Sequence, residues 1–197
     1  MKKKKRGLLF VVSAPAGTGK TTLVNRLLAH HPEYARSVTC TTRPPRPGER
    51  HNHDYQFLSF KEFQRKRDRG DFLEFASIFG YYYGTSKQDV IRQEKTGKDV
   101  FLVIDTQGAM ELKKKGIPAV FIFISPPSFE ALKSRLEMRK TEDAGMIKKR
   151  LSWAKKEMKM IENYDYHIVN DDLQEAYRVL KSIIDAEKHR IHKKEGR

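Results

Sequence analysis

Lys20 and Thr21 follow two glycines, Gly17 and Gly19, in the stretch Ala14-Pro15-Ala16-Gly17-Thr18-Gly19-Lys20-Thr21. This is the phosphate-loop pattern G-x-x-x-x-G-K-[ST], with alanine at its first glycine. The chemistry is anion binding. The glycines let the backbone curl so that successive N–H groups point inward at phosphate oxygens. A helix opening near Gly19 adds the positive end of its dipole. The Lys20 ammonium can reach the outer phosphates, and the Thr21 hydroxyl can ligate magnesium. Ala14 in place of glycine implies that this position does not need a positive φ. A glycine-rich turn before a helix is the plainer reading, but the Lys-Thr pair and the apolar run Leu8–Ser13 before it both fit the loop.

A second constellation lies between Thr39 and Thr85. Arg43 and Arg46, three residues apart, together with tyrosine hydroxyls, make a natural clamp for an isolated phosphate. A carboxylate, Glu74, with hydroxyls at Thr39 and Thr85, could read a base. Guanine offers two donors, its ring N–H and its exocyclic amine, and a carboxylate accepts from both. Adenine would set acceptor against acceptor at the ring nitrogen. A third group is basic. Arg135 and Arg139 are four apart and share a helix face. Arg150 returns to that face if the helix continues. Such arginines can neutralise a transferring phosphoryl group; a solvated basic face is the alternative.

Positioning these groups requires a particular order of elements. Leu8–Ser13 reads as a strand buried on both faces. Gly19–His31 reads as a helix, ended by Pro32. Arg36–Thr42 reads as a strand, and the proline-rich 43–53 as a loop. Tyr55–Ser59 is a short strand, Phe60–Arg69 a helix and Phe72–Ile78 a strand. Phe79–Thr85 reads as a glycine-flanked aromatic turn, and Ser86–Thr96 as a helix with Ser86 at its N-cap. Strand, helix, strand and helix follow at 99–104, 107–115, 119–124 and 128–139. A long helix over 146–163, a strand over 165–169 and a helix over 173–192 complete the chain. Alternating strands and helices predict an α/β fold with a parallel five-stranded sheet flanked by helices, built from 8–13, 36–41, 99–104, 119–124 and 165–169. Section 38–85 breaks the rhythm and reads as an inserted lobe.

The 197 residues fit one domain with inserted lobes, and the net charge of +15 favours anionic partners. No nucleic-acid-binding motif accompanies that charge, so no specific nucleic acid is expected. The single cysteine, Cys40, rules out a disulfide within the chain and fits a reducing cytoplasm. No apolar run approaches a membrane span. Lys2–Arg6 before Leu8–Val12 mimics a signal peptide, but cleavage after Ala14 or Ala16 would destroy the loop. Residues 1–6 are read as a basic tail.

The series TTRPPRPGE at Thr41–Glu49, Asp54-Tyr55, Phe72-Leu73-Glu74, Tyr82-Tyr83-Gly84-Thr85 and IVNDDL at Ile168–Leu173 resembles guanylate kinases, over Gly7 to about Glu187. The resemblance implies that Arg43, Arg46, Tyr55 and Tyr83 hold the phosphate of GMP. It implies that Thr39, Glu74 and Thr85 contact guanine, with Asp105 nearby. Ala14 to Thr21, Arg135, Arg139 and Asn170 would serve ATP, and Lys20, Arg43, Arg139 and Arg150 would be catalytic. It implies a core (7–37 and 86–197), a GMP-binding lobe (38–85) and a helical lid (126–150). ATP with Mg2+ would be the donor, GMP (and dGMP) the acceptor, ADP and GDP the products, and the chain a monomer or homodimer. Three departures stand out. Alanines occupy Ala14 and Ala16. Lys140 stands where glycine is frequent. Val103 stands where an acid often precedes Asp105 by two. Two rivals are a non-catalytic guanylate-kinase-like binding module and a related small-molecule kinase with another acceptor.

Overall fold

The computed structural model describes residues 7–138 and 143–191. Its strands are β1 (Leu9–Ser13), β2 (Tyr34–Arg36), β3 (Cys40–Thr41), β4 (Gln56–Phe57), β5 (Phe72–Ile78), β6 (Tyr81–Ser86), β7 (Asp99–Ile104), β8 (Val120–Ser125) and β9 (Tyr166–Val169). Its helices are α1 (Lys20–His30), α2 (Phe60–Asp68), α3 (Lys87–Lys95), α4 (Thr106–Lys114), α5 (Phe129–Met138), α6 (Ala144–Met158) and α7 (Leu173–His189).

The main sheet has the order β2-β7-β1-β8-β9, and every pairing in it is parallel. Every residue of β1 and β8 is buried. Both faces of these strands are covered, which is why their sequences are unbroken apolar runs rather than alternating ones. Alternate side chains still go to opposite faces. Phe10 and Val12 join Leu23, Leu27, Leu180 and Ile184 from α1 and α7. Leu9 and Val11 join Val90, Ala109 and Leu112 from α3 and α4. β1 lies at the centre, with strands added on either side of it. The phosphate loop leaves its carboxyl end, at the switch point where α/β sheets bind ligands.

Residues 40–86 contribute a second, four-stranded sheet, β4-β3-β6-β5. Helix α2 packs on it through Phe63, whose ring stacks on Phe72 at 4.5 Å. Helices α5 and α6 form a separate pair over Leu132, Leu136 and Ala154.

Three expectations need correction. The predicted strand 36–41 is divided: β2 ends in the main sheet at Arg36, and β3 belongs to the second sheet. Asp89 of α3 explains the break. Its carboxylate accepts from Ser37 Oγ at 3.0 Å and from the Val38 backbone N–H at 3.2 Å, taking a donor that a neighbouring strand would use. The aromatic turn is mostly strand. Ile78 pairs with Tyr81, so only Phe79 and Gly80 turn the chain, and the tyrosines lie on β6. Three consecutive aromatic residues suit a pleated surface. The predicted helix 146–163 ends at Met158 and resumes as a 3-10 turn over Ile161–Asn163. There Tyr164 leaves the helical path to pack edge-on against Phe123 at 5.1 Å.

Candidate active site

The loop between β1 and α1 has the shape its glycines permit. Gly17 and Gly19 have φ of 96° and 90°, whereas Ala14 is not among the positive-φ residues. Thr18 is buried and closes the turn, donating from Oγ1 to the Pro15 carbonyl at 3.0 Å. A side chain at Gly17 would meet Leu136 of α5 at 2.9 Å. A buried amide fixes the loop from the far end of the sheet: Asn170 Nδ2 donates to the Thr18 carbonyl at 2.6 Å. Arg135 of α5 donates in turn to the Asn170 carbonyl at 2.9 Å.

Lys20 opens α1, and its Nζ donates to the Ile104 carbonyl at 3.0 Å. Burial draws its pKa below the ordinary lysine value, while Glu157 and Asp105 oppose that shift. Asp105 follows β7 and caps α4, accepting from the N–H groups of Gln107 at 2.7 Å and Gly108 at 3.2 Å.

The arginine clamp is built on aromatic rings. The Arg43 guanidinium sits 5.3 Å from the Tyr55 ring centroid, and Tyr55 meets Tyr83 edge-on at 6.3 Å. Arg43 is nearly buried and donates to both carboxylate oxygens of Glu49, at 2.7 and 2.8 Å. Glu49 also accepts from the Arg46 backbone N–H at 2.7 Å. Both Arg43–Glu49 bonds come from Nη2, while Nη1 donates to the Pro44 carbonyl at 2.7 Å, so a carboxylate already holds a guanidinium nitrogen that could meet a phosphate.

Glu74 and Thr85 are buried on paired strands, and the Thr85 hydroxyl donates to Glu74 Oε1 at 2.6 Å. Burial pushes Glu74 up to about 8, against the Thr85 hydrogen bond and with Asp105 and Glu111 adding to the rise.

One cleft of about 730 Å³ joins these parts, a volume in the range of small-molecule sites. Its walls hold Ala14 to Thr21, Thr39, Arg43, Arg46, Tyr55, Tyr83, Asp105 and Arg150 among the residues expected from sequence. Glu74, Thr85, Arg135 and Asn170 do not line the cleft: Asn170 reaches the loop through the Thr18 carbonyl and Arg135 through Asn170, while Glu74 and Thr85 bond to each other. Arg139 and Lys140 lie outside the described residues, as does the tail 1–6. Val103 lines the cleft.

Sequence reasoning named Arg150 on α6 but missed the residues that share its face, Met146, Trp153 and Glu157. Met146, Arg150, Trp153 and Glu157 all line the cleft. Their spacing of four, three and four is one face of a helix, and that was the available signal. Glu157 is buried and accepts from Thr106 Oγ1 at 3.3 Å. Burial pushes it up to about 7, opposed by Lys20 and Arg150. Glu49 was missed for another reason: its arginine partner was assigned to an anion from outside the chain. Among the described residues, no group of three or more His, Cys, Asp or Glu side chains could hold a metal ion.

Comparison with known proteins gives the family. The profile of the family described as Guanylate kinase matches residues 6–187. A guanylate kinase of Protochlamydia amoebophila is 54% identical over 98% of this chain and 97% of its own length. One of Chlamydia felis is 47% identical over 92% of this chain and 89% of its own. The crystal structure of guanylate kinase from Anaplasma phagocytophilum superposes with a TM-score of 0.77 at 34% identity, covering 95% of this chain and 89% of that one.

Proposed function

The chain belongs to the guanylate kinase family, and we propose from that premise how its residues divide the work of moving the γ-phosphoryl of ATP to GMP. The enzyme is an ATP:GMP phosphotransferase, a nucleoside monophosphate kinase. The observation that carries the residue assignment is the shared cleft: the phosphate loop and the Arg43–Tyr55–Tyr83 clamp face one space.

On the donor side, the loop from Ala14 to Thr21 cradles the phosphates of ATP through its N–H groups. Lys20 exchanges the Ile104 carbonyl for the outer phosphate oxygens. Asn170 and Arg135 serve ATP by holding the loop and the strand end beside it. Thr21 lies exposed in the first turn of α1 on the cleft wall, and its hydroxyl is a hard oxygen donor. One such ligand fits Mg2+, which keeps most of its shell as water and nucleotide phosphate. Bound there, the ion would neutralise phosphate charge.

On the acceptor side, Arg43, Arg46, Tyr55 and Tyr83 hold the phosphate of GMP, which displaces the Glu49 carboxylate from Arg43. Glu74, Thr39 and Thr85 read guanine, with Asp105 alongside, and dGMP is read the same way. The attacking phosphate oxygen is already anionic, so no general base is needed. Catalysis is positioning and charge neutralisation, by Lys20, Arg43, Arg150 and Arg139. Residues 38–85 form the acceptor lobe and 126–150 the lid, whose closure excludes water that would otherwise hydrolyse ATP. A reducing cytoplasm suits the one buried cysteine. No helix among the described residues is long and apolar enough to cross a membrane.

The test is ADP release from ATP and Mg2+ with GMP, AMP, CMP, UMP or no acceptor. Release strong with GMP alone is expected. Equal release with AMP would remove the guanine-reading role of Glu74, and release without acceptor would mark an ATPase.

A further inference from the structure

Phe79 is strained and placed where the strain has a use. It and Gly80 are the two turn residues between β5 and β6, with φ of 49° and 84°. Two positive values in a two-residue hairpin are the signature of a type I′ turn, for which Asn-Gly is the relaxed choice. A bulky aromatic residue is disfavoured there. An outlier of this kind calls for a compensating contact. Phe79 has two, both to α6. The Arg150 guanidinium lies 5.1 Å from the Phe79 ring centroid. The Trp153 ring lies 5.9 Å away, tilted by 59°. All three side chains are half-buried and line the cleft.

The two elements that Phe79 joins have different duties. The β5–β6 hairpin carries Glu74, Tyr83 and Thr85, which face the acceptor nucleotide in the reading above. Helix α6 carries Arg150, which faces the phosphoryl group in flight. A guanidinium over a ring in a partly desolvated cleft is attracted by the ring's quadrupole, and a flat stack also fixes its direction.

We propose that Phe79 is a positioning residue for Arg150, and that it transmits acceptor binding from the hairpin to helix α6. The inference rests on the acceptor assignment above and adds the link between acceptor and lid. Occupancy of the lobe moves the hairpin tip. The tip carries the guanidinium with it, so Arg150 is aligned only when an acceptor is present. Coupling of this kind requires a shared contact with differential energy in the two states, and the Phe79 stack supplies it.

Trp153 is the chain's sole tryptophan, so its emission reports directly on this contact. GMP is titrated without ATP, following emission, while calorimetry on the same samples measures binding. The wild-type emission should change with GMP. Phe79→Asn suits the left-handed turn, so its Tm should hold or rise. It should lose the GMP-dependent emission change, and its kcat should fall roughly three- to thirtyfold, the worth of one such stack. Its KM for ATP should stay within about twofold, because the donor contacts are untouched. Phe79→Tyr should restore both properties. In an Arg150→Met background, Phe79→Asn should cost no further activity. A Phe79→Asn enzyme with unchanged kcat and an intact emission response would overturn the inference. So would a kcat loss that tracks a fall in Tm. GMP binding in calorimetry with silent wild-type emission would overturn the coupling and leave the acceptor reading standing. No GMP binding at all would overturn both.

Discussion

At the scale of single residues, charge state matters as much as identity. Glu74 is proposed as a base-reading carboxylate from its type and from its company with Thr39 and Thr85. Its protonation is not recognisable, because that depends on burial. Burial pushes it to about 8, so the free enzyme holds the proton at neutral pH. Guanine's two donors favour the ionised form. Binding should therefore release a proton at pH 7. GMP affinity should strengthen as pH rises toward about 8 and level off above it. Calorimetry in two buffers of different ionisation heat measures that release directly; a buffer-independent heat and a flat affinity profile would remove Glu74 from base recognition. Lys20 shows the opposite shift from the same cause: burial draws it down, and the carboxylates of Glu157 and Asp105 resist.

At the scale of elements, local rules placed most of the helices. Ser86 and Asp143 cap α3 and α6, and Ser59 forms a capping box with Glu62 at the start of α2. The strand expected over 36–41 failed where a distant side chain intervened, as Asp89 does at Val38. The contact between α4 and β5 is another such place. A Cβ on Gly108 would lie 2.3 Å from Glu74 Oε2. The absence of a side chain there is what lets the helix approach the strand and keep the carboxylate in place. Gly108→Ala should thus displace Glu74. KM for GMP should rise by about tenfold or more, with KM for ATP little changed, as expected when one site's binding contacts alone are lost. A comparison of the two KM values decides it, since a general loss of fold would raise both.

At the scale of the whole molecule, the cleft concentrates charge against the interior, and stability should carry that signature. Glu74 and Glu157 are held at about 8 and about 7, above their value of 4.5. The folded state keeps protons that the unfolded chain gives up, so their stabilising contribution is complete below about pH 4.5 and is lost as pH rises through 7 to 8. Tm should therefore fall between pH 5 and 8, and the double variant Glu74→Gln, Glu157→Gln should flatten that slope. Equal slopes in melts at three pH values would contradict the assignment. By itself the sequence determined the phosphate-loop pattern, the alternation of strand and helix, and the residue types that the fold brings to one cleft. These follow from neighbours along the chain, where spacing fixes which backbone and side-chain groups meet. Only the tertiary structure decided that Asn170 grips a loop 152 positions away, and that the Glu49 carboxylate holds Nη2 of Arg43. It alone decided that a strained Phe79 meets Arg150 across the cleft. Those contacts depend on how whole elements pack, and no periodicity along the chain encodes them.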